Sequence, residues 1–205
     1  MKKAMLLLPV LAVLAGCFGG AGTTAPVTYY TLEYELPRFE SMANTDKVIR
    51  LERVTSTHDA GGREMVFRGR PFVRDAYRYH RWHLPPAEMV QGFLLRDIRR
   101  AGLFRAALSP DDVGEGRYLL SIQVEEFLQS EKEGRPAASL AIALTLQDLT
   151  RKDRAGGVVL QKTYGETEFL VSPDPREFAR GMSAAIARLS GAIIRDVDVV
   201  IKNDK

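Results

Sequence analysis

The side chains able to do chemistry are few, and Cys17 is the only cysteine among 205 residues. With a single thiol, no disulfide can form within the chain. The histidines are His58, His80 and His83. His80 and His83 stand three apart in a stretch that reads as a strand, so they point to opposite faces and cannot easily share a metal. Nothing else supplies the remaining ligands of a zinc set, and no metal site is expected. The adjacent acids Asp111-Asp112 and Glu125-Glu126 diverge in the same way, which does not suit paired acid–base work. The chain contains no G-x-S-x-G elbow, P-loop or H-E-x-x-H motif. The sequence therefore offers no catalytic residue and no cofactor site, and it reads as a non-enzyme. One further set is basic and aromatic: Arg70, Arg74, Arg78 and Arg81 stand among Asp75, Tyr77, Tyr79 and Trp82. Guanidinium groups bind phosphate and carboxylate through paired donors, so Arg70, Arg74, Arg78, Arg81 and Trp82 are candidates to contact lipid headgroups or an acidic partner. The competing account is a solvated strand face with the aromatic rings packed in the core.

The residues before Cys17 give it a role. Lys2 and Lys3 precede an apolar run from Ala4 to Leu14. That run is too short to cross a hydrocarbon core of about 30 Å, which takes about 20 residues, and it reads as a signal-peptide h-region. It ends in Leu14-Ala15-Gly16-Cys17, small residues that fit a peptidase pocket followed by a thiol that can be thioether-linked to diacylglycerol. The arrangement resembles the bacterial lipobox. It predicts removal of residues 1–16 and covalent diacylglycerol and N-acyl lipid on Cys17. A lone free thiol would be a liability in an oxidising periplasm, whereas an acylated one is not. Several acyl chains hold a protein durably where one does so only marginally. Phe18, rather than the aspartate that commonly signals inner-membrane retention, points to the outer membrane and its periplasmic face.

Past the cysteine, Phe18 to Val27 reads FGGAGTTAPV. Such residues build no core, so 17–27 is expected to be a lipidated cysteine and flexible tether, its ten linker residues spanning roughly 17 Å on average and about 35 Å at full stretch. Residues 28–205 suit one domain with a sizeable core. Loss of 1–16 takes Lys2 and Lys3 away and leaves 27 basic against 26 acidic side chains. That near balance gives no support to nucleic-acid binding, which needs a clustered basic face.

Periodicity then lays out the body. Thr28–Leu36 and Lys47–Val54 read as strands. Glu64–Arg68 and Arg74–Trp82 read as hairpin arms around Arg70-Pro71. From Ala87 to Ala101 the apolar residues recur at helical spacing, with Pro85-Pro86 in front and Gly102 as the stop. Alternating runs around Leu120–Glu125, Leu140–Gln147 and Val158–Phe169 predict antiparallel strands with one buried face. The segments between them, SEKEGRPAA and TRKDRAGG, read as exposed loops. A closing helix runs from Asp174-Pro175 to about Ile201, with Phe178, Met182, Ala185/Ile186, Leu189, Ile193 and Val197 as its stripe and Ser172 or Asp174 as its cap. The composite is an α/β single domain: a mixed, mostly antiparallel sheet with two main amphipathic helices packed on it.

Two stretches resemble a known family: Tyr29-Tyr30-Thr31-Leu32 after the linker, and YRYHRWHLPPAEMVQGFLLRDIRRAGLF from Tyr77 to Phe104. An aromatic strand with Arg-Trp, a Pro-Pro pair opening a helix and a closing Gly-Leu-Phe look like the ABC-type transport auxiliary lipoproteins. His83-Leu84 departs from the family pattern, which has a small residue after Arg-Trp. The resemblance implies an auxiliary component of a lipid-transport system. In such systems an inner-membrane ATPase and permease work with a periplasmic tunnel of MCE (mammalian cell entry) domains. The implied partner is that MCE tunnel protein, met on the outer-membrane side, and the resemblance brings no catalytic residue. A closed homo-oligomer around the tunnel is a further expectation. The alternatives are a general envelope-assembly lipoprotein that binds another outer-membrane protein, and a periplasmic hydrolase.

Overall fold

The period-two runs become the long ladders of one sheet. In a computed structural model, which describes residues 25–39, 44–57, 61–151, 153 and 157–204, these runs are β7 (Tyr118–Lys132), β8 (Arg135–Asp148) and β9 (Val158–Phe169). β7 and β8 pair antiparallel from Tyr118↔Asp148 to Lys132↔Arg135. The expected SEKEGRPAA loop is therefore a two-residue turn at Glu133-Gly134, with φ of 53° and 70°. Positive φ at both central residues matches the twist of the flanking strands, which lets pairing run to the tip. On β8, Leu140, Ile142, Leu144 and Leu146 are buried, as the alternation requires.

The other edge of β7 is shared along its length. β2 (Thr45–Leu51) and β3 (Thr55–Ser56) pair with it in parallel, and β4 (Glu64–Arg70) meets it at Phe67↔Gln129. β4 turns at Pro71-Phe72 into β5 (Val73–Trp82), antiparallel to it. Against β5 lies β1 (Thr28–Tyr30), parallel, with Thr28 opposite His80. A strand absent from the sequence reading, β6 (Phe104–Leu108), pairs in parallel with β2. The antiparallel ladders are the long ones and the parallel pairings are short.

The first expected strand, Thr28–Leu36, is cut short at Tyr30. Beyond it the chain straps the helices: Leu32 is buried, the Glu33 amide donates to Ser183 Oγ at 3.0 Å, and the Tyr34 hydroxyl donates to Asp97 at 2.8 Å. The strap alternates like a strand because one of its sides faces packed helices. The second expected strand likewise leaves the sheet after Leu51, before Val54.

The helices are α1 (Pro86–Ala101) and α2 (Pro175–Asn203). Gly102 ends α1 at φ 66°, a left-handed cap that glycine adopts without strain. Asp174 caps α2, accepting from the amides of Arg176 and Glu177, while the Ser172 hydroxyl donates to that aspartate. Every residue of the expected α2 stripe is buried. At Gly181 a Cβ would run into Leu170 and Ala138, so glycine sets how closely α2 lies on the sheet. Trp82 is fully buried between Phe127 and Phe178, with ring centroids 5.3 and 5.2 Å away and edge-on geometry. No described helix is long and apolar enough to cross a membrane. The signal segment, Cys17 and the linker up to Thr24 lie outside the described residues.

Candidate functional site

Because β4 runs parallel to β7, both hairpins turn at the same end of the sheet. The link from β9 to α2 comes to that end too, with Phe169 opposite Ala137 and the Leu170 amide donating to the Pro136 carbonyl at 2.8 Å. Between the two turns opens a groove of about 580 Å³, lined by Arg68, Gly69, Arg70, Pro71, Phe72, Arg74 and Glu131. A second groove of about 370 Å³ shares Arg68, Gly69 and Glu131 and continues to Phe67, Tyr77, Gln129, Pro136 and Pro173. Both are open to solvent rather than enclosed, which suits a surface contact more than a lipid-holding chamber.

Tyr77 lines the second groove beside the link that leads into α2. Its ring lies 5.0 Å from that of Phe67, and its hydroxyl donates to the Pro173 carbonyl at 2.6 Å with Gln129 Oε1 at 3.1 Å. Burial pushes its pKa up, so it stays a neutral donor. At the tip of the β4–β5 turn Phe72 is fully exposed, with φ 64°. Val73, Phe169 and Val171 are also exposed at this end.

The candidate arginines separate into two groups. Arg70 and Arg74 are exposed at the groove, and half-buried Arg68, which the sequence did not single out, lines it beside them. Arg78 is exposed further along β5, its guanidinium 5.4 Å from the centroid of Tyr79. Arg81 turns back on its own strand, Nη1 donating to the carbonyls of Tyr77 and His80. Trp82 must leave the contact set, because its ring fills the core against Phe127 and Phe178. Arg81 and Trp82 thus shape the strand, and the exposed set at the groove is Arg70, Arg74 and Phe72, with half-buried Arg68 paired to Glu126 behind them. Phe72 was legible only as the residue after Arg70-Pro71; nothing in its spacing marked it as exposed.

His80 and His83 do not converge: His80 Nδ1 lies 3.1 Å from the Tyr30 hydroxyl, and His83 is exposed beyond the strand. Among the described residues no cluster of three or more His, Cys, Asp or Glu can hold a metal; His58 lies outside them. Three of the four adjacent acids meet separate arginines. Asp111 meets Arg53 at 2.9 Å, Asp112 meets Arg99 at 2.8 Å, and Glu126 meets Arg68 at 3.4 Å.

The opposite end of the sheet is built differently. Arg117 holds Asp148 through two bonds of 3.2 and 2.8 Å, and the Thr150 amide and hydroxyl donate to the same carboxylate. The Arg117 guanidinium holds the Asp148 carboxyl well below the usual carboxylate range. The Tyr118 hydroxyl donates to Asp204 at 3.0 Å; burial, with that carboxylate's help, pushes its pKa up to about 12. Arg50 donates to the carbonyls of Ser109, Pro110, Asp112 and Gly114. Between the ends, buried Asp97 accepts from Tyr34, from Ser190 Oγ at 2.7 Å and from Arg96 Nε at 2.8 Å, which clasps the strap to both helices.

A family model described as ABC-type transport auxiliary lipoprotein component matches residues 30–194. Among solved structures, the protein XCC0632 from Xanthomonas campestris superposes with a TM-score of 0.79 at 16% identity, over 87% of this chain and 98% of that one. The hypothetical protein CT253 from Chlamydia trachomatis gives 0.57 at 11% identity, over 77% and 98%. At such identities the likeness speaks for the fold alone. No curated protein matches the chain.

Proposed function

This chain belongs to the ABC-type transport auxiliary lipoprotein family, and from that premise we propose the part it plays. Residues 1–16 are removed, Cys17 receives diacylglycerol and an N-acyl chain, and the domain is held at the periplasmic face of the outer membrane. There it docks the MCE-domain tunnel protein of an ABC-type lipid transporter and does no chemistry of its own. The observation that carries this reading is the conjunction of Leu14-Ala15-Gly16-Cys17 with a family match across 30–194. The separately partnered acids and the open, arginine-lined groove support a contact role over a catalytic one. A closed homo-oligomer around the tunnel remains part of the proposal; sedimentation showing only monomer at high concentration removes that part.

Affinity capture of the tagged lipoprotein from detergent-solubilised envelope, read by mass spectrometry, tests the docking. Recovery of an MCE-domain protein with its ATPase or permease supports it. Recovery of outer-membrane proteins alone returns the chain to general envelope assembly. For the anchor, Cys17→Ser leaves a hydroxyl that cannot replace the thiolate, so the variant is expected to leave the membrane pellet. An unchanged pellet fraction and gel mobility would refute lipidation at that residue.

A further inference from the structure

We propose that the β4–β5 turn is a second membrane contact, in which Phe72 enters the headgroup layer while Arg70 and Arg74 meet anionic lipid phosphates. The proposal rests on the lipid-anchored reading above for which membrane is touched.

The turn itself is the first argument. A left-handed φ of 64° is natural for glycine or asparagine and unfavourable for an aromatic side chain, yet Phe72 holds it with its ring fully exposed. Folding gives no reason for an aromatic residue at that place. Where local conformation and burial both disfavour a residue, the inference runs to function. Exposed Val73, Phe169 and Val171 widen the apolar tip at the same end.

Charge is the second argument. Arg68, Arg70 and Arg74 line the groove beside Phe72, and Lys132 and Arg135 flank the neighbouring turn. Against them stand Asp75, Glu131 and Glu133, and Arg68 is engaged by Glu126. Five basic side chains stand against four acidic ones, an excess of one positive charge around an apolar tip, as in an interfacial segment that meets anionic lipid.

Direction and reach are the third. β1 runs parallel to β5 with Thr28 opposite His80, so its first residue lies toward the Val73 and Phe72 end of the pair. From His80 back to Phe72 is about 26 Å of strand. The segment from Cys17 to Thr28 reaches about 36 Å when extended. A lipid on Cys17 can therefore lie in the same bilayer surface that Phe72 touches. A tether and a turn acting together orient the domain on that surface, which a tether alone does not.

The test uses the unlipidated chain from Phe18 onward, which keeps every described element and the whole buried core. It is mixed with vesicles of phosphatidylethanolamine and phosphatidylglycerol, or of phosphatidylcholine alone, and bound protein is read by flotation. Binding to the phosphatidylglycerol vesicles is expected, weakening as salt rises. Phe72→Ser should lower the partition about tenfold, and Arg70→Gln or Arg74→Gln about fivefold each, with melting temperatures unchanged. No binding to phosphatidylglycerol vesicles, or binding that ignores Phe72→Ser, overturns the proposal. So does a Phe72→Ser variant that keeps its vesicle binding but loses capture of a protein partner, which would make this end a protein-docking surface. Failure to recover an MCE protein leaves the vesicle result untouched, so the two readings fail separately.

Discussion

At the end of the sheet where β7 begins, Arg117 grips Asp148 through bonds of 3.2 and 2.8 Å and Arg50 is ringed by four backbone carbonyls. At the end where β7 finishes, Arg70 and Arg74 stand exposed beside a fully exposed Phe72. The residue type is the same, and what differs is burial: Arg117 is 26% exposed and grips a carboxylate that is nearly fully buried, whereas Arg70 and Arg74 lie at the surface. Asp148 is only 2% exposed on its side chain, so its pairing with Arg117 is partly shielded from water and contributes to stability. Exposed arginines contribute little to folding wherever they sit. One end is therefore part of what holds the domain together, and the other is a surface whose composition folding does not explain.

The comparison breaks if the two ends do not share one core. Trp82→Ala should cost about 3–5 kcal/mol, because it empties a fully buried site between Phe127 and Phe178. A single calorimetric transition at lower temperature is the expected result; two separate transitions would make the ends independent. Next in size, Asp148→Ala should cost about 2–3 kcal/mol by leaving Arg117 without its main partner, a figure reduced because that guanidinium is 26% exposed. The pH dependence sharpens this. Asp148 has a folded pKa below its unfolded value of about 3.9. Its contribution is therefore complete above that value and is lost as pH falls through the acid range. Asp148→Asn should flatten the stability-against-pH slope below about pH 4, measured by urea unfolding.

Much of this plan was legible in the residues, and the exceptions have identifiable causes. Both helices, the β4–β5 hairpin and the three long strands follow from period and from the stops at Gly102 and Asp174. The β7–β8 tip was hidden because its charged residues look like a loop, although Glu133-Gly134 alone makes the turn. β6 was hidden because five residues, FRAAL, carry too short a pattern to separate from the end of a helix. The strap at 31–39 has strand alternation, and only tertiary packing reveals that its buried side faces Ser183 and Asp97. For the site, the arginine stretch was visible but its division was not: Arg81 folds back onto carbonyls and Trp82 goes inward, which are facts of the third dimension. Phe72 lacked a signal altogether, since a turn aromatic and a core aromatic look alike in one dimension.

A smaller effect is expected between the two ends. Tyr34→Phe removes the hydroxyl that donates to Asp97 at 2.8 Å while keeping the ring against Phe93 and Arg96. The expected cost is about 1–2 kcal/mol, because Asp97 is buried and keeps Ser190 and Arg96 as partners. Denaturant unfolding measures it, and a null result would mean that water replaces the hydroxyl.

The smallest effect is the most discriminating. Phe72→Gly relieves an aromatic residue of a left-handed conformation, which favours the folded state, and frees the unfolded chain, which opposes it. These contributions are of similar size and opposite sign, so stability should stay within about 0.5 kcal/mol of the parent. If the ring instead packed into the groove it lines, its removal would cost more than about 1 kcal/mol. A melting curve superimposable on the parent's, beside the loss expected for Asp148→Ala, would establish that the Phe72 ring is dispensable for folding. What remains for Phe72 to do must then be done to something outside the chain.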